Sequence, residues 1–340
     1  MPNRFASVLT CAAWLASSAA LPQPVSAPAA NDAPATPLPQ VTVRALPTPK
    51  VIHELSQSFV QSYAAAPNPN INQIGRWRDP VCVLVLGLPL AEQAAKIKGR
   101  IESMAQALGL PAARSNCRPN VEIAFEDEPQ HAMDSVSKRL EYLLGYYHLS
   151  RTERLKTVRY PVQAWYVTAT KTSAAITIDL VGSGLPGTGL LQSSAIDDPE
   201  DRPPPGCANR STACYSTAFH NVLIVADNKV LAGKPLNLVA DDLVMLALSQ
   251  PKSLDGCNAL PSVIDRFAKS PCPGRDPPDG LTSADIAYLT ALYLTDPEGK
   301  MTVAQFDIAD RMAKILIKAN AVTAANAGLT GSPSTASKAP

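Results

Sequence analysis

Two adjacent carboxylates, Asp241 and Asp242, are the residues of this chain whose types and spacing best suit acid–base chemistry. They follow a central hydrophobic strand at the start of a predicted helix, where many α/β proteins keep functional acids. With a third group that the sequence does not identify, they could serve a hydrolase. Acids at a helix N-terminus are also stabilised by the helix dipole. We prefer this structural role and predict no catalytic residue.

Histidine spacing does not match the common helical zinc site. That site needs two histidines one helical turn apart with a glutamate between them. None of His53, His131, His148 and His220 has a second histidine within a turn. A site built from His131, His148 and Glu141 stays open as an alternative. We expect no metal and no other cofactor, and we expect His220 to be a structural residue with its hydrogen bonds satisfied.

Phosphate and nucleic-acid partners are disfavoured. The segment 182–187 matches GxGxxG, but Pro186 and the glycines around it oppose the helix start that a pyrophosphate needs. We predict a loop there. Thirty Lys and Arg residues balance 29 Asp and Glu residues, and the net charge is +1. No long-range field therefore attracts nucleic acid.

Residues 1–20 have the three regions of a secretory signal. Arg4 is the early cation, an apolar stretch runs through residues 8–16, and residues 17–20 are small. The stretch is shorter than the roughly 20 residues that span a bilayer, so membrane contact should be transient. Cleavage is expected between residues 20 and 30, and Cys11 leaves with the signal.

Both ends of the mature chain have the composition of disordered segments. Residues 21–47 are crowded with Pro, Ala and Thr and predict a tether, because such a segment buries too little apolar surface to fold. Residues 321–340 predict a disordered tail. No second linker interrupts the part between them, so we expect a single α/β domain from 50 to 320.

Six cysteines remain after the loss of Cys11 from the seven in the chain. An even number in an exported chain predicts disulfides, and none has the CxxC spacing of a zinc ribbon or redox site. Sequential pairing is the simplest framework. It gives the bridges Cys82–Cys117, Cys207–Cys214 and Cys257–Cys272.

The first of these bridges follows from a predicted strand–helix–strand unit. Residues 81–86 form a buried strand, an apolar helix face ends at Gly109, and residues 121–125 form a second strand. A right-handed crossover makes the two strands parallel and brings their starts to one edge of the sheet. Cys82 opens the first strand and Cys117 precedes the second, so the two can meet.

The remaining periodicities predict a helix over 135–147, a hairpin of strands at 162–170 and 174–181, and a buried strand at 219–226. From Leu238 onwards the pattern is helical. Thr282 and Asp285 form a capping box, and Thr302 and Gln305 repeat it before a last helix. The apolar stripe of that helix is Phe306, Ala309, Met312, Ala313 and Leu316. The fold class is therefore α/β to α+β: a βαβ crossover, a mixed sheet and a helical C-terminal part, stabilised by disulfides.

Several segments together resemble a known group of proteins. They are Ile74-Gly75-Arg76-Trp77, residues 120–125, residues 241–250, and Leu281-Thr282 with Asp285. From about 75 to 320 the chain resembles exported bacterial proteins with a zincin-like domain of unknown function. In zincins the helix that corresponds to 240–250 holds the paired zinc histidines, and here Asp241, Asp242 and Leu246 stand there. The resemblance implies a degenerate zincin-like fold without the HExxH motif.

These observations predict an exported envelope protein, periplasmic or secreted, whose domain binds or scaffolds a partner protein or a cell-wall component. A peptidase-like hydrolase at Asp241 and Asp242 is the alternative. The two functions differ in what surrounds these acids. An enzyme should present one of them to a concave pocket with a raised pKa, whereas a helix cap should turn it towards backbone amides.

Overall fold

The structure is a computed structural model that describes residues 47–66, 72–140, 144, 155–172, 177–178, 215–267 and 272–330. All of these lie in one compact unit, Leu46–Pro340. Among the described residues no helix has the length and hydropathy to cross a membrane. The predicted class is confirmed: a mixed sheet with helices, a helical C-terminal part and two disulfides.

A mixed sheet stands at the centre, with strand order β1-β2-β5-β3-β4. Strands β1, β2 and β5 are mutually parallel, while β3 is antiparallel to both β5 and β4. The strands are β1 Val83–Leu86, β2 Val121–Glu126, β3 Val162–Thr172, β4 Thr177–Ile178 and β5 Tyr215–Asp227. Strand β5 is therefore the central strand, with partners along both edges.

Helices surround this sheet and make up the C-terminal part. They are α1 Pro49–Tyr63, α2 Ala91–Ala107, α3 Pro129–Arg139, α4 Asn228–Leu231, α5 Leu236–Leu248, α6 Ser283–Leu294 and α7 Met301–Thr330, with a 3-10 helix at Val263–Phe267. Helix α5 has apolar residues on nearly all sides, and it is accordingly buried on nearly all sides.

The predicted crossover is confirmed, because β1 and β2 are parallel with Val83 opposite Val121. Cys82 and Cys117 are disulfide-bonded with their Cα atoms 6.1 Å apart. Gly87 ends β1 with a φ of 83°, and a Cβ atom there would lie 2.0 Å from the carbonyl oxygen of Phe125. Only glycine fits where this turn crosses the neighbouring strand.

The main hydrophobic core covers one face of the sheet, and α1, α2, α5, α6 and α7 all contribute to it. The Trp77 indole donates to the carbonyl of Ala247 at 2.7 Å, and Phe59, Tyr63 and Tyr288 pack ring against ring. A smaller core covers the other face beneath α3. It contains Met133, Leu144, Trp165, Leu223 and Val225.

Several predicted boundaries are wrong. The helix expected at 135–147 begins at Pro129, whose fixed φ suits a first helical position, and ends at Arg139. Helix α7 begins at Met301, so Thr302 lies inside it and cannot be its cap. Phe306, expected in the buried stripe, is 63% exposed. Helix α7 also runs through the predicted tail boundary at 321 to Thr330.

Helix α1 lies in a stretch for which no element was predicted. Its start has two local signals, because the hydroxyl of Thr48 accepts from the amide of Val51 and Pro49 opens the first turn. Its buried residues, Ile52, Phe59, Val60 and Tyr63 among them, recur at helical spacing.

Candidate functional site

Asp241 is held by two partners from other parts of the chain. Arg100 Nε, on α2, donates to Oδ1 at 2.7 Å, and the amide of Leu281 donates to Oδ2 at 3.1 Å. Gly280 permits this approach, since a Cβ atom there would lie 2.8 Å from Oδ2. Asp241 thus ties α2 and α5 to the residues that precede α6.

The prediction that Asp241 and Asp242 open their helix is wrong. Helix α5 begins at Leu236 after Pro235, so both acids lie beyond its first turn. The helix dipole acts within the first turn and does not account for them. Asp241 does bind a backbone amide, but that amide belongs to the chain that leads into α6.

Asp242 is fully buried, and neither of its carboxylate oxygens has a hydrogen-bond partner in the described part of the chain. Burial raises the pKa of Asp242 to about 8, while Arg266 lowers it and Asp241 raises it further. The Nε atom of Arg266 is likewise buried without a partner. At neutral pH Asp242 is therefore mainly a protonated acid, enclosed by its own fold.

Asp285 forms the capping box that was predicted with Thr282, and this prediction is confirmed. The carboxylate also accepts from the hydroxyl of Ser262 and from the amide of Val263, the latter at 2.9 Å. Burial raises the pKa of Asp285, and these hydrogen bonds oppose the rise. A local cap therefore also anchors the loop that carries the 3-10 helix.

A further buried acid, Asp265, organises the loop closed by the second disulfide. It accepts from the backbone amide and the side chain of Asn258, at 3.0 and 2.7 Å, and from the amide of Ser262 at 3.1 Å. The disulfide Cys257–Cys272 is present as predicted, with Cα atoms 5.6 Å apart. We call Asp241, Asp242, Asp265 and Asp285 the acidic region.

The carboxylates of the acidic region face inward. Asp241, Asp265 and Asp285 accept hydrogen bonds from the chain itself, and Asp242 is sealed from solvent. Asp242 has the raised pKa expected of a catalytic acid but is not exposed to a substrate. Asp241, Asp265 and Asp285 therefore link helices and loops of the fold to one another, whereas Asp242 makes no such link.

A second polar region, which the sequence did not predict, lies at an irregularity of β5. Thr168 pairs with Phe219 and Val167 with Asn221, so His220 is the extra residue of a β-bulge. On the other edge of β5 the amide of Phe219 donates to the carbonyl of Arg76 at 2.9 Å, and the amide of Val222 donates to that of Asn120 at 2.8 Å. Along this edge, the segment at Arg76 pairs with β5 before His220, and β2 pairs with β5 after it.

Charged side chains gather on this bulge. Lys171 is buried, and its Nζ lies 2.5 and 2.6 Å from the two carboxylate oxygens of Asp79. Arg78 donates to the hydroxyl of Ser216 at 3.0 Å, and Ser216 pairs with Lys171 across the strands. We call Arg78, Asp79, Arg118, Lys171, His220 and Asn221 the bulge site.

His220 is exposed, and within the described residues its ring makes no hydrogen bond, so the prediction of a satisfied structural histidine is wrong. Partial removal from water lowers the pKa of the ring, Asp79 opposes this, and Lys171 and Arg118 lower the pKa further. The next residue, Asn221, is 9% exposed, and its Oδ1 has no hydrogen-bond partner in the described structure. Two polar residues that interrupt a buried strand were the only sequence signal for this site.

Several predicted residues lie outside the described part of the chain. They are Cys207 and Cys214, Glu141 and His148, and the segment 182–187. The bridge Cys207–Cys214 therefore stays a prediction. Among the residues that the structure describes, no group of three or more His, Cys, Asp or Glu side chains could hold a metal ion.

Comparison with protein-family models, with curated proteins and with solved structures gives no match. The function proposed below is therefore argued from the residues of this chain.

Proposed function

We propose that this chain is an exported envelope domain that binds a partner protein or a cell-wall component without catalysing a reaction. One observation carries the non-catalytic part. The acid best placed for chemistry, Asp241, is engaged by Arg100 and by the amide of Leu281, and its neighbour Asp242 is fully buried. A general acid must reach the proton that it transfers.

Two disulfides support the export. Such bonds persist in oxidising compartments and are rare in the cytosol, so Cys82–Cys117 and Cys257–Cys272 indicate a non-cytosolic location. The signal-like residues 1–20 and the Pro- and Ala-rich segment behind them add a cleaved start and a periplasmic or secreted location to the proposal.

A hydrolase is the second candidate, and one observation favours it. Asp242 has a pKa raised to about 8, as a general acid near neutral pH would. For it to act, α5 would have to expose a residue that is now fully buried. The zincin-like resemblance stays a prediction. It implies a fold in which Asp241 and Asp242 stand where a zincin has its zinc-binding histidines.

The test uses the oxidised mature chain incubated with purified cell wall and with envelope proteins from the organism that makes it. We expect retention of a component whose mass is unchanged after prolonged incubation. Cleavage that is lost in Asp242→Asn and kept in Asp134→Asn, a matched change of an exposed acid, would establish the hydrolase. Stoichiometric zinc in protein purified from its native compartment would also overturn the proposal.

Fractionation tests the location separately. We expect a mature N-terminus between residues 20 and 30 and blocked thiols at Cys82 and Cys117. An intact Met1 in a cytosolic fraction, with these thiols free, would contradict export.

A further inference from the structure

We propose that the bulge site binds the carboxylate of a ligand that also carries a hydrogen-bond donor beside it, a hydroxyl or an amide N–H. This rests on the proposed binding function and names where the ligand binds and which of its groups is recognised.

The bulge directs two consecutive polar residues to the same face of the sheet. Side chains of a regular strand alternate between faces. Phe219 and Val222 both belong to the main core, yet two residues separate them instead of one. His220 and Asn221 therefore both leave the core face, and they do so beside the ends of two neighbouring segments.

Among the described residues of the bulge site, Arg118 is the cation to which a ligand carboxylate can bind. Lys171 already binds Asp79 through both oxygens, and Arg78 donates to Ser216 and has a further contact. Arg118 is exposed and makes no ion pair with another described residue. A guanidinium binds a carboxylate through two parallel hydrogen bonds. Asp79 repels a doubly charged phosphate more than a singly charged carboxylate.

Asn221 adds a requirement for a donor. The residue is 9% exposed and its Oδ1 is buried without a partner, so the side chain must turn outward to accept from a ligand. An unpartnered buried acceptor is rare and usually has a functional or solvent explanation. The amide of Val222 donates to the carbonyl of Asn120, so Asn221 and Arg118 lie on paired segments of neighbouring strands. We therefore place both within reach of one ligand that presents a carboxylate and a donor on adjacent atoms. Hydroxy acids and N-acylated amino acids both have this arrangement.

The backbone that carries Arg118 is held in place before any ligand arrives. Arg118 directly follows Cys117, which is bonded to Cys82. Asn120, two residues further on, accepts from the amide of Cys82 at 2.8 Å and donates to the carbonyl of Pro80 at 2.9 Å. A site fixed in advance loses less entropy when it binds.

The experiment follows the His220 ring by NMR in the oxidised mature chain, with the signal assigned by its loss in His220→Gln. The probes are acetate, lactate and N-acetylglycine, with sodium chloride at matched ionic strength. We expect the carboxylates to raise the pKa of His220, because a negative charge close to the ring favours its protonated form. Lactate and N-acetylglycine should bind about fivefold more tightly than acetate, since each adds one hydrogen bond.

Three variants locate the effect. Arg118→Ala should weaken all three probes by about tenfold. Asn221→Leu should remove the advantage of lactate over acetate. Arg159→Ala changes an exposed arginine near the opposite end of β3 from Lys171 and should bind like the parent chain. Arg118 lies on the surface, so its variant decides the matter even if Asn221→Leu fails to fold.

Equal binding by the parent chain and Arg118→Ala would overturn the inference. Inorganic phosphate is titrated in the same way as a fourth anion, and tighter binding of phosphate than of lactate would also overturn it. Two further assays separate the bulge-site inference from the proposed binding function. They are co-sedimentation with purified cell wall and capture of an envelope protein of unchanged mass. If both the parent chain and Arg118→Ala are retained, the binding function stands and this site is wrong. If the parent chain retains nothing in either assay, the proposed function itself fails.

Discussion

The acidic region and the bulge site both gather polar side chains, and the two regions use them in opposite ways. In the acidic region Asp285 and Asp265 each accept hydrogen bonds from several donors of the chain. At the bulge site His220 and Arg118 are exposed, and Asn221 keeps a buried acceptor without a partner. Of the two acids that stood out in the sequence, Asp241 links parts of the fold and Asp242 is enclosed by it. The exposed residues that we assign to a ligand lie at an irregular point of the sheet.

The largest expected effect concerns Asp242, the member of the acidic region whose carboxylate has no hydrogen-bond partner in the described structure. Its folded pKa, about 8, lies above its ordinary value of 3.8, so the unfolded state ionises first as pH rises. The free energy of unfolding should therefore fall from about pH 4 to about pH 8, by on the order of 4 kcal/mol between pH 5 and pH 8. Asp242→Asn cannot ionise and should lose this part of the pH dependence.

Urea unfolding of both chains at pH 5 and pH 8 provides the measurement. Titrating groups that do not interact with residue 242 cancel in the comparison, because only that residue differs. Asp241, Asp285, Lys234 and Arg266 interact with it and contribute to the difference. Parallel pH profiles for the two chains would show that Asp242 is ionised in the fold, and the acidic region would then contain an accessible charge.

Asp285→Ala should cost about 4 kcal/mol, because it leaves the hydroxyl of Ser262 and the amides of Val263 and Thr282 without an acceptor. Asp285→Asn, which keeps one acceptor oxygen, should cost less. Thermal unfolding at pH 6 checks both. A cost below about 1 kcal/mol for the alanine variant would mean that this acid does not support the loop.

Removal of each disulfide in turn should distinguish the acidic region from the bulge site. Loss of Cys257–Cys272, with a sequence separation of 15, should cost about 3 kcal/mol and leave lactate binding unchanged. Loss of Cys82–Cys117, with a separation of 35, should cost slightly more and also weaken lactate binding, because the backbone at Arg118 loses its anchor. Paired Cys→Ala variants, compared in unfolding and in binding, provide the test. Equal binding by both variants would remove the link between that bridge and the bulge site.

Gly280→Ala should have the smallest effect, about 1 kcal/mol. The new Cβ atom would meet Oδ2 of Asp241 at 2.8 Å and push the carboxylate away from the amide of Leu281. Gly256→Ala is the matched control, since no atom lies within 4 Å of its Cβ position. Equal melting temperatures for the two variants would show that the contact of Asp241 with Leu281 is unimportant.

The features that sequence reasoning found depend on local or nearly local patterns. The capping box of Thr282 and Asp285 lies within one turn, and the bridge Cys82–Cys117 follows from the handedness of one crossover. The contact of Asp241 with Leu281 joins residues 40 apart in sequence, which no periodicity records.

The bulge at His220 required a different kind of information. It depends on the register of β5 against β3 and on where the segment at Arg76 gives way to β2. Periodicity also failed at Phe306, because an apolar residue at helical spacing can still face solvent. Pattern alone does not tell which side of α7 meets the core.

The most direct test of the whole account measures two variants in two assays. Asp241→Ala should lower the free energy of unfolding by about 2 kcal/mol, through loss of Arg100 and Leu281, and should leave lactate affinity unchanged. Arg118→Ala should leave stability within about 0.5 kcal/mol and weaken lactate binding about tenfold. The reverse pattern, with binding lost in Asp241→Ala and kept in Arg118→Ala, would contradict the assignment of the acids to the fold and of the bulge site to the ligand.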